Sequence, residues 1–365
     1  MEQSSERNKG GNRFMKDKRI AVFPIDEDFL SLPNNQYIQL ERECHQISYY
    51  ITLAGWNIEN AEIQLHTLEK FNFENIDTLV LINSFRKLED EAIKKILILA
   101  AENEIKVICA RDDIDINQEM LKRKCLEKNI AYEFVSEEVS IVESRLINNI
   151  EIPIVTISGV GPYVGKFEVG LYLRNSFEDA GYKTLFISPR REGKIFGTHI
   201  FPEYMYNKNL DYTTKVYEFN SYVNSLVKEE KTDIVLIGVP GEMMELSERH
   251  QMNFGIMASI VFNAIKPDVS ILNMYNMRYT DEFLEEQRKF CKYRFGMIPD
   301  LFYATFTSII DSSLKEVLIR YFQTDRLFDD LLEKYNLFSE EDVKKGLLFK
   351  QVMDMLEEYG SLDVM

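Results

Sequence analysis

With 365 residues, 43 lysines and arginines against 60 acidic residues and a net charge of −17, the chain is an acidic protein long enough for two domains. That balance repels nucleic-acid phosphates and anionic lipid, and no apolar run approaches the ~20 residues of a membrane span. The four cysteines (Cys44, Cys109, Cys125, Cys291) lack CxxC pairing and the four histidines (His45, His66, His199, His250) are scattered, so neither a structural metal nor an iron–sulfur cluster is expected. Residues 1–18 are polar and charged with no apolar stretch, which excludes a signal peptide and predicts a disordered leader on a cytoplasmic protein.

In chain order, a strand is expected at Arg19–Pro24, then a helix from about Gln36 to Leu53 and a strand at Asp77–Asn83. A helix over Asp90–Glu102, a strand at Ile105–Ala110, a helix over about Asn117–Lys128 and a strand near Tyr132–Val135 follow. Glu137–Asn149 reads as a helix or a linker. Short apolar runs alternating with amphipathic segments of helix length are the signature of βαβ units and a parallel sheet. Residues 19–148 therefore read as a Rossmann-like α/β domain.

A second series starts with a strand at Ile152–Ser158 and a helix from Lys166. Strands at Thr184–Ser188, Asp233–Gly238, Val269–Asn273 and Leu301–Ala304 then alternate with helices over Thr213–Glu230, Asn253–Ile265 and Asp281–Tyr293. Residues 151–312 form the second α/β domain of this reading. From about Ser313 the pattern reads as a helical, acidic tail, in which Ser339 and Asp342 have the form of a capping box. Val343, Leu347, Met355 and Leu356 supply an apolar stripe for intramolecular packing. The fold class is α/β, with two mainly parallel sheets and a helical C-terminal segment.

The stretch Gly159–Lys166 carries the chemistry. A strand runs into a glycine-rich turn (Gly159, Gly161, Gly165), and a helix begins at Lys166 with Val169, Tyr172, Leu173, Ser176, Phe177 and Ala180 on one face. Gly181 is placed as its left-handed cap. Such a turn aims backbone N–H groups and a helix N-terminus at one point, which favours an anion, and Lys166 adds a full positive charge. The usual phosphate loop is G-x-x-x-x-G-K-[ST]; here the spacing is one residue longer. That longer form resembles the phosphate loop of dethiobiotin synthetase and its relatives, and Gly181-Tyr182 matches the following position of that pattern. Phe167, however, stands where a Ser or Thr would ligate magnesium. The strand Asp233–Gly238, running on to Val239, Pro240 and Gly241, looks like the superfamily's second metal-binding strand, with Gly238 in the place of its Asp. A magnesium-dependent hydrolase would not be built this way. A site for an anion, a nucleotide or another phosphate-bearing ligand remains, formed by Gly159, Gly161, Gly165, Lys166, Pro240 and Gly241.

The loop after the Thr184–Ser188 strand carries Arg190, Arg191, Lys194 and His199. In a parallel sheet it leaves the same carboxyl edge as the glycine turn, where ligands of open α/β sheets bind. Arg190, Arg191 and His199 are therefore candidates for a phosphate or carboxylate. His199 and His250 are the candidate proton-transfer groups, without an identifiable nucleophile beside them, so no catalytic residue is assigned. The aromatic stretch Phe201–Tyr206 reads as core packing, with a pocket lining as the alternative.

The stretches FGTHIFPEYMYN (196–207), KTDIVLIGVPGEMM (231–244), NFGIMA (253–258) and CKYRFGM (291–297) resemble a family of peptide maturation system proteins that accompany radical-SAM enzymes. The resemblance implies a role in ribosomal peptide natural-product biosynthesis, as an accessory protein that binds a precursor peptide or a partner maturase. It supplies no reaction. The alternative is a nucleotide-using ligase or kinase-like enzyme that activates a carboxylate.

Overall fold

The computed structural model describes residues 19–40, 43–58, 62–111, 118–143, 145–245, 254–311, 319–324 and 336–362. The expected leader, Asn117, His250 and Asn253 lie outside the described residues. The first half runs β1 (Ile20–Phe23), α1 (Glu27–Leu30), β2 (Tyr37–Leu40), β3 (Glu43–Thr52), β4 (Leu65–Thr67), β5 (Thr78–Leu81), α2 (Asp90–Glu102), β6 (Lys106–Cys109), α3 (Gln118–Glu127) and β7 (Tyr132–Phe134). These strands form one sheet in the order β2-β3-β1-β5-β6-β7, with β4 also paired to β3. All pairs are parallel except β2 with β3.

The helix expected from Gln36 to Leu53 is instead this antiparallel pair, in which Ile38 faces His45 and Leu40 faces Glu43. Ile38 and Leu40 are buried while Tyr37 and Gln39 are exposed, a period of two that suits a pleated surface. The aromatic and β-branched run Tyr49–Thr52 adds strand preference that the helical reading overlooked.

The second half runs β8 (Ile154–Gly159), α4 (Lys166–Asp179), β9 (Thr184–Ser188), β10 (His199–Ile200), α5 (Tyr212–Glu230), β11 (Ile234–Gly238), α6 (Ile256–Ala264), β12 (Val269–Met274), α7 (Asp281–Phe295) and β13 (Leu301–Ala304). It ends with β14 (Thr307–Asp311), β15 (Ile319–Gln323), β16 (Leu337–Ser339), α8 (Glu340–Lys344) and α9 (Leu347–Leu362). The sheet order is β10-β9-β11-β8-β12-β13-β16, parallel throughout. Residues 137–143 and 145–149 are a linker without helix or strand. Its course is fixed by Val142 N–H donating to Glu218 and Asn148 N–H donating to Asn220.

The stretch after Ser313 contains strands where helix was expected: β15 pairs antiparallel with β14, and β16 joins the edge of the second sheet. The helical part begins at the capping box, where Ser339 and Asp342 satisfy each other's backbone N–H groups. In α9 the deepest residues are Leu348 and Val352, both 0% exposed, whereas Leu347 is 44% exposed. The apolar stripe is thus shifted by one residue at that point, and Val343, Met355 and Leu356 pack partly buried against the same core.

That core is continuous across both sheets. Ile20, Val22, Val80 and Ile108 of the first sheet share it with Val155, Leu236 and Ile271 of the second and with Phe167, Leu171 and Phe177 of α4. Phe349 of α9 meets Phe177 edge-on at 5.0 Å. Replacing Leu348 by Ala should therefore lower stability by about 2–5 kcal/mol, read as a fall in the melting midpoint. An unchanged midpoint would show that α9 is not docked.

Candidate functional site

β8 ends in Gly159, between β11 and β12, and the glycine turn leaves the carboxyl edge of the sheet. The turn is held by its carbonyls. Met243 N–H donates to Gly159 O at 3.0 Å and Met244 N–H to Val160 O at 3.3 Å. Tyr275 OH donates to Pro162 O at 2.8 Å, and the Asn273 side-chain amide donates to Val164 O at 2.9 Å. With these oxygens engaged by the protein, the peptide dipoles of the turn are oriented by its neighbours and not by solvent. Gly165 precedes α4 in the left-handed region (φ 71°), which favours glycine. At Gly161 a Cβ would run into the Tyr275 ring, 2.8 Å from Cζ, so that close approach also requires glycine.

Lys166 opens α4, and its Nζ donates to the Gly241 carbonyl, in the segment after β11 that also contains Pro240. Burial pushes this amine down to about 8, against the opposing pull of Glu242 and Glu168 and with Arg190 adding to the fall. Gly159, Gly161, Gly165, Lys166, Pro240 and Gly241 are thus brought to one place.

The two positions at which the phosphate-loop pattern would place magnesium ligands carry packing residues. Phe167 is fully buried in the shared core, stacked at 6.4 Å on Phe186 and tilted at 6.0 Å against Phe196. A side chain at Gly238 would meet the Pro189 ring, with Cγ 2.9 Å and the backbone nitrogen 3.2 Å from its Cβ. An Asp there would need the β9 loop to move. Among the described residues, no group of three or more His, Cys, Asp or Glu side chains is arranged to hold a metal.

The basic loop is not gathered on the turn. Arg190 comes closest, and its guanidinium is surrounded by carboxylates: Asp28 Oδ2 at 2.6 Å, Glu192 Oε1 at 3.1 Å and Glu168 Oε1 at 3.4 Å. Arg191 pairs with Glu203 and lies over the rings of Phe134 and Tyr206. Lys194 pairs with Glu137 at 2.8 Å. His199 pairs with Glu230 at 2.6 Å and lines a separate groove of about 710 Å³ with Arg174, Glu133 and Glu178. In the stretch Phe201–Tyr206, Phe201, Tyr204 and Met205 are core residues, with Phe201 stacked on Phe219 at 4.8 Å.

Sequence reading missed the other half of the site, which comes from the first sheet. Its carboxyl edge meets the carboxyl edge of the second. Asp26 and Asp28 follow β1, Asn83–Arg86 follow β5 and Arg111 follows β6. Asn83 N–H donates to Glu192 Oε2 at 2.8 Å, and Phe85 packs edge-on against Tyr163 of the turn at 5.1 Å. Asp26 accepts backbone N–H groups of Asp28, Phe29, Phe85 and Arg86, yet burial and Asp28 push it up to about 7. Arg111, 1% exposed, donates to Ile82 O and Ser84 Oγ, and burial lowers its pKa. Glu168, one residue after Phe167, is buried and pushed up to about 8 by desolvation, with Asp28 and Glu192 adding to the rise and Arg190 opposing it. A usable signal existed: polar residues directly after apolar strands of a parallel sheet sit at the ligand edge.

No family model matches this chain, and no curated protein matches it. Among solved structures it is similar to a DUF1611 family protein from Anabaena variabilis, with a TM-score of 0.52 at 11% identity over 79% of this chain and 87% of that one. The two chains share an α/β fold. The signal recognition particle receptor FtsY from Elizabethkingia anophelis (TM-score 0.28, 13% identity, 60% of this chain and 72% of that chain) and the cell division protein FtsY from Thermotoga maritima (0.29, 15%, 60% and 74%) also match. Those low scores add nothing further. No helix among the described residues is long and apolar enough to cross a membrane.

A carboxyl group whose folded pKa is raised contributes stability below its unfolded value, and that contribution is lost as pH rises through the folded value. For Glu168 the window runs from 4.5 to about 8. The variant Glu168→Gln should therefore gain stability relative to the wild type as pH rises through this window, by roughly 1–3 kcal/mol, measured as the difference between their melting midpoints. A difference independent of pH would contradict the assignment.

Proposed function

We propose that the chain binds a phosphate-bearing ligand at the Gly159–Lys166 turn without a divalent cation, as an accessory protein rather than a nucleotide hydrolase. The observation that carries this reading is the combination of a retained cationic turn with two remodelled metal positions. Lys166 stands at the N-terminus of α4 above a turn whose carbonyls are engaged elsewhere, an arrangement that attracts an oxyanion. Phe167 is committed to the core, and the Pro189 ring crowds any ligand side chain at Gly238. An ion that bridges phosphates in magnesium-dependent sites therefore lacks both of its usual protein anchors.

The resemblance of the stretches 196–207 and 231–244 to peptide maturation system proteins supports a reading in which this binding role serves ribosomal peptide maturation in the cytoplasm, with a precursor peptide or radical-SAM maturase as partner. The strongly acidic charge speaks against nucleic acid as the partner. The competing reading, a nucleotide-using ligase or kinase-like enzyme, needs metal ligands from elsewhere.

Calorimetric titration of pyrophosphate, ATP and GTP, each with magnesium and with EDTA, separates the two. Binding should be equal in both conditions and should weaken by about 10–100-fold in Lys166→Ala, the value of a charge-assisted contact. Affinity enhanced by magnesium, or nucleotide turnover abolished in that variant, would overturn the accessory reading.

A further inference from the structure

Beside the turn, one guanidinium faces more negative charge than it balances. Arg190 lies within ion-pair distance of three carboxylates, Asp28 at 2.6 Å, Glu192 at 3.1 Å and Glu168 at 3.4 Å. Its hydrogen bonds go to Asp28 and Glu192. Neither oxygen of Glu168 accepts a hydrogen bond from another residue, although both are buried. A second unpaired acceptor comes from a different element. Asn273 of β12 is 0% exposed, and its side-chain amide N–H donates to Val164 O while Oδ1 has no partner. Both acceptors lie against the Val164–Gly165 step of the turn, with Glu168 Oε2 3.8 Å from the place where Gly165 would carry a Cβ. Buried polar atoms of folded proteins are nearly always paired, so two unpaired acceptors at one step of a candidate site point to a donor supplied by a ligand.

Phosphate oxygens do not meet that need, because they bring further acceptors of the same sign. An ammonium brings three N–H donors together with the positive charge that three carboxylates around one guanidinium lack. The place for a cation adjoins the place for an anion. Lys166 follows Gly165 directly, and Glu168 lies in the same first turn of α4, so both are within reach of one small molecule.

We infer that the ligand of the turn is a phosphate ester with a primary amine a few bonds from its phosphate. The turn and Lys166 take the phosphate, and Glu168 takes the ammonium. This inference rests on the binding role proposed for the turn and names the class of its ligand.

The groups that face Glu168 fit a partner with positive charge. Burial pushes its carboxyl group up to about 8, Asp28 of α1 and Glu192 after β9 add to the rise, and Arg190 and the residue's own backbone N–H oppose it. Lys166 on the same helix and Tyr303 of β13 also lie within electrostatic reach. A carboxyl group in that setting keeps its proton until a cation approaches, then releases it to solvent and pairs with the ammonium as a carboxylate.

Three phosphate monoesters are the test. O-phosphoethanolamine carries the charge and the N–H donors, phosphocholine carries the charge without N–H donors, and ethyl phosphate carries neither. At pH 8 the phosphates are ionised and a primary alkyl ammonium keeps its proton. In calorimetry of the full chain at that pH with EDTA, O-phosphoethanolamine should bind at least about tenfold more tightly than either of the others. Glu168→Gln keeps the shape of the side chain and removes its charge. It should bring O-phosphoethanolamine to within about threefold of ethyl phosphate, whose own affinity stays the same, while Lys166→Ala weakens all three. A general preference of an acidic protein for the less negative ligand would extend to phosphocholine and survive Glu168→Gln. Phosphocholine or ethyl phosphate binding as tightly as O-phosphoethanolamine, or a preference unchanged in Glu168→Gln, would overturn the amine while leaving the anion site intact. Binding of none of the three would remove the anion site itself and this inference with it.

Discussion

Arg190 places a largely buried guanidinium at the meeting of the two sheets and answers it with Asp28 from the first half, Glu192 from its own loop and Glu168 from α4. Burying such charges costs several kcal/mol per ion unless all partners are present together, so the cluster forms only when both halves of the chain are in place. Phe167 lies under the same guanidinium, 5.7 Å from its centre, and extends the junction into the shared apolar core. The position of the glycine turn relative to the first sheet follows from this contact. So does the electrostatic setting of Lys166 and Glu168, each pushed towards about 8 by the same desolvation.

The departures from a metal-dependent phosphate loop gain a physical meaning in this setting. Phe167 is not a passive loss of a hydroxyl. Its ring fills space between Phe186, Phe196 and Arg190, so a Ser or Thr there would open a cavity in the core. Gly238 likewise lets Pro189 approach the end of β11. Both residues supply packing at the junction of the sheets, at the positions where the phosphate-loop pattern would place magnesium ligands. The turn keeps its glycines and its lysine, and the surrounding donors from β12 and the segment after β11 keep its shape.

Most of the second sheet was legible because its strands are continuous apolar runs and its helices carry caps, as at Thr280, Ser339 and Gly181. The β2–β3 pair was not, because it depends on cross-strand contacts that a local periodicity cannot express. At the candidate site, the turn Gly159–Lys166 and the segment Pro240–Gly241 that meets it were legible because glycine spacing is local. Asp26, Asp28, Arg111 and Glu168 were missed because their role arises only when two carboxyl edges meet. The apparent basic loop failed for the same reason, since Glu203, Glu137 and Glu230, which pair with Arg191, Lys194 and His199, come from other segments of the chain.

The central claim is that the glycine turn binds an oxyanion without metal, and hydrogen–deuterium exchange with pyrophosphate in EDTA tests it most directly. Protection should appear in the peptide spanning Gly159–Lys166 and in the Pro240–Gly241 segment, with the same size when magnesium replaces EDTA. Protection that arises only with magnesium, or only outside these segments, would contradict it.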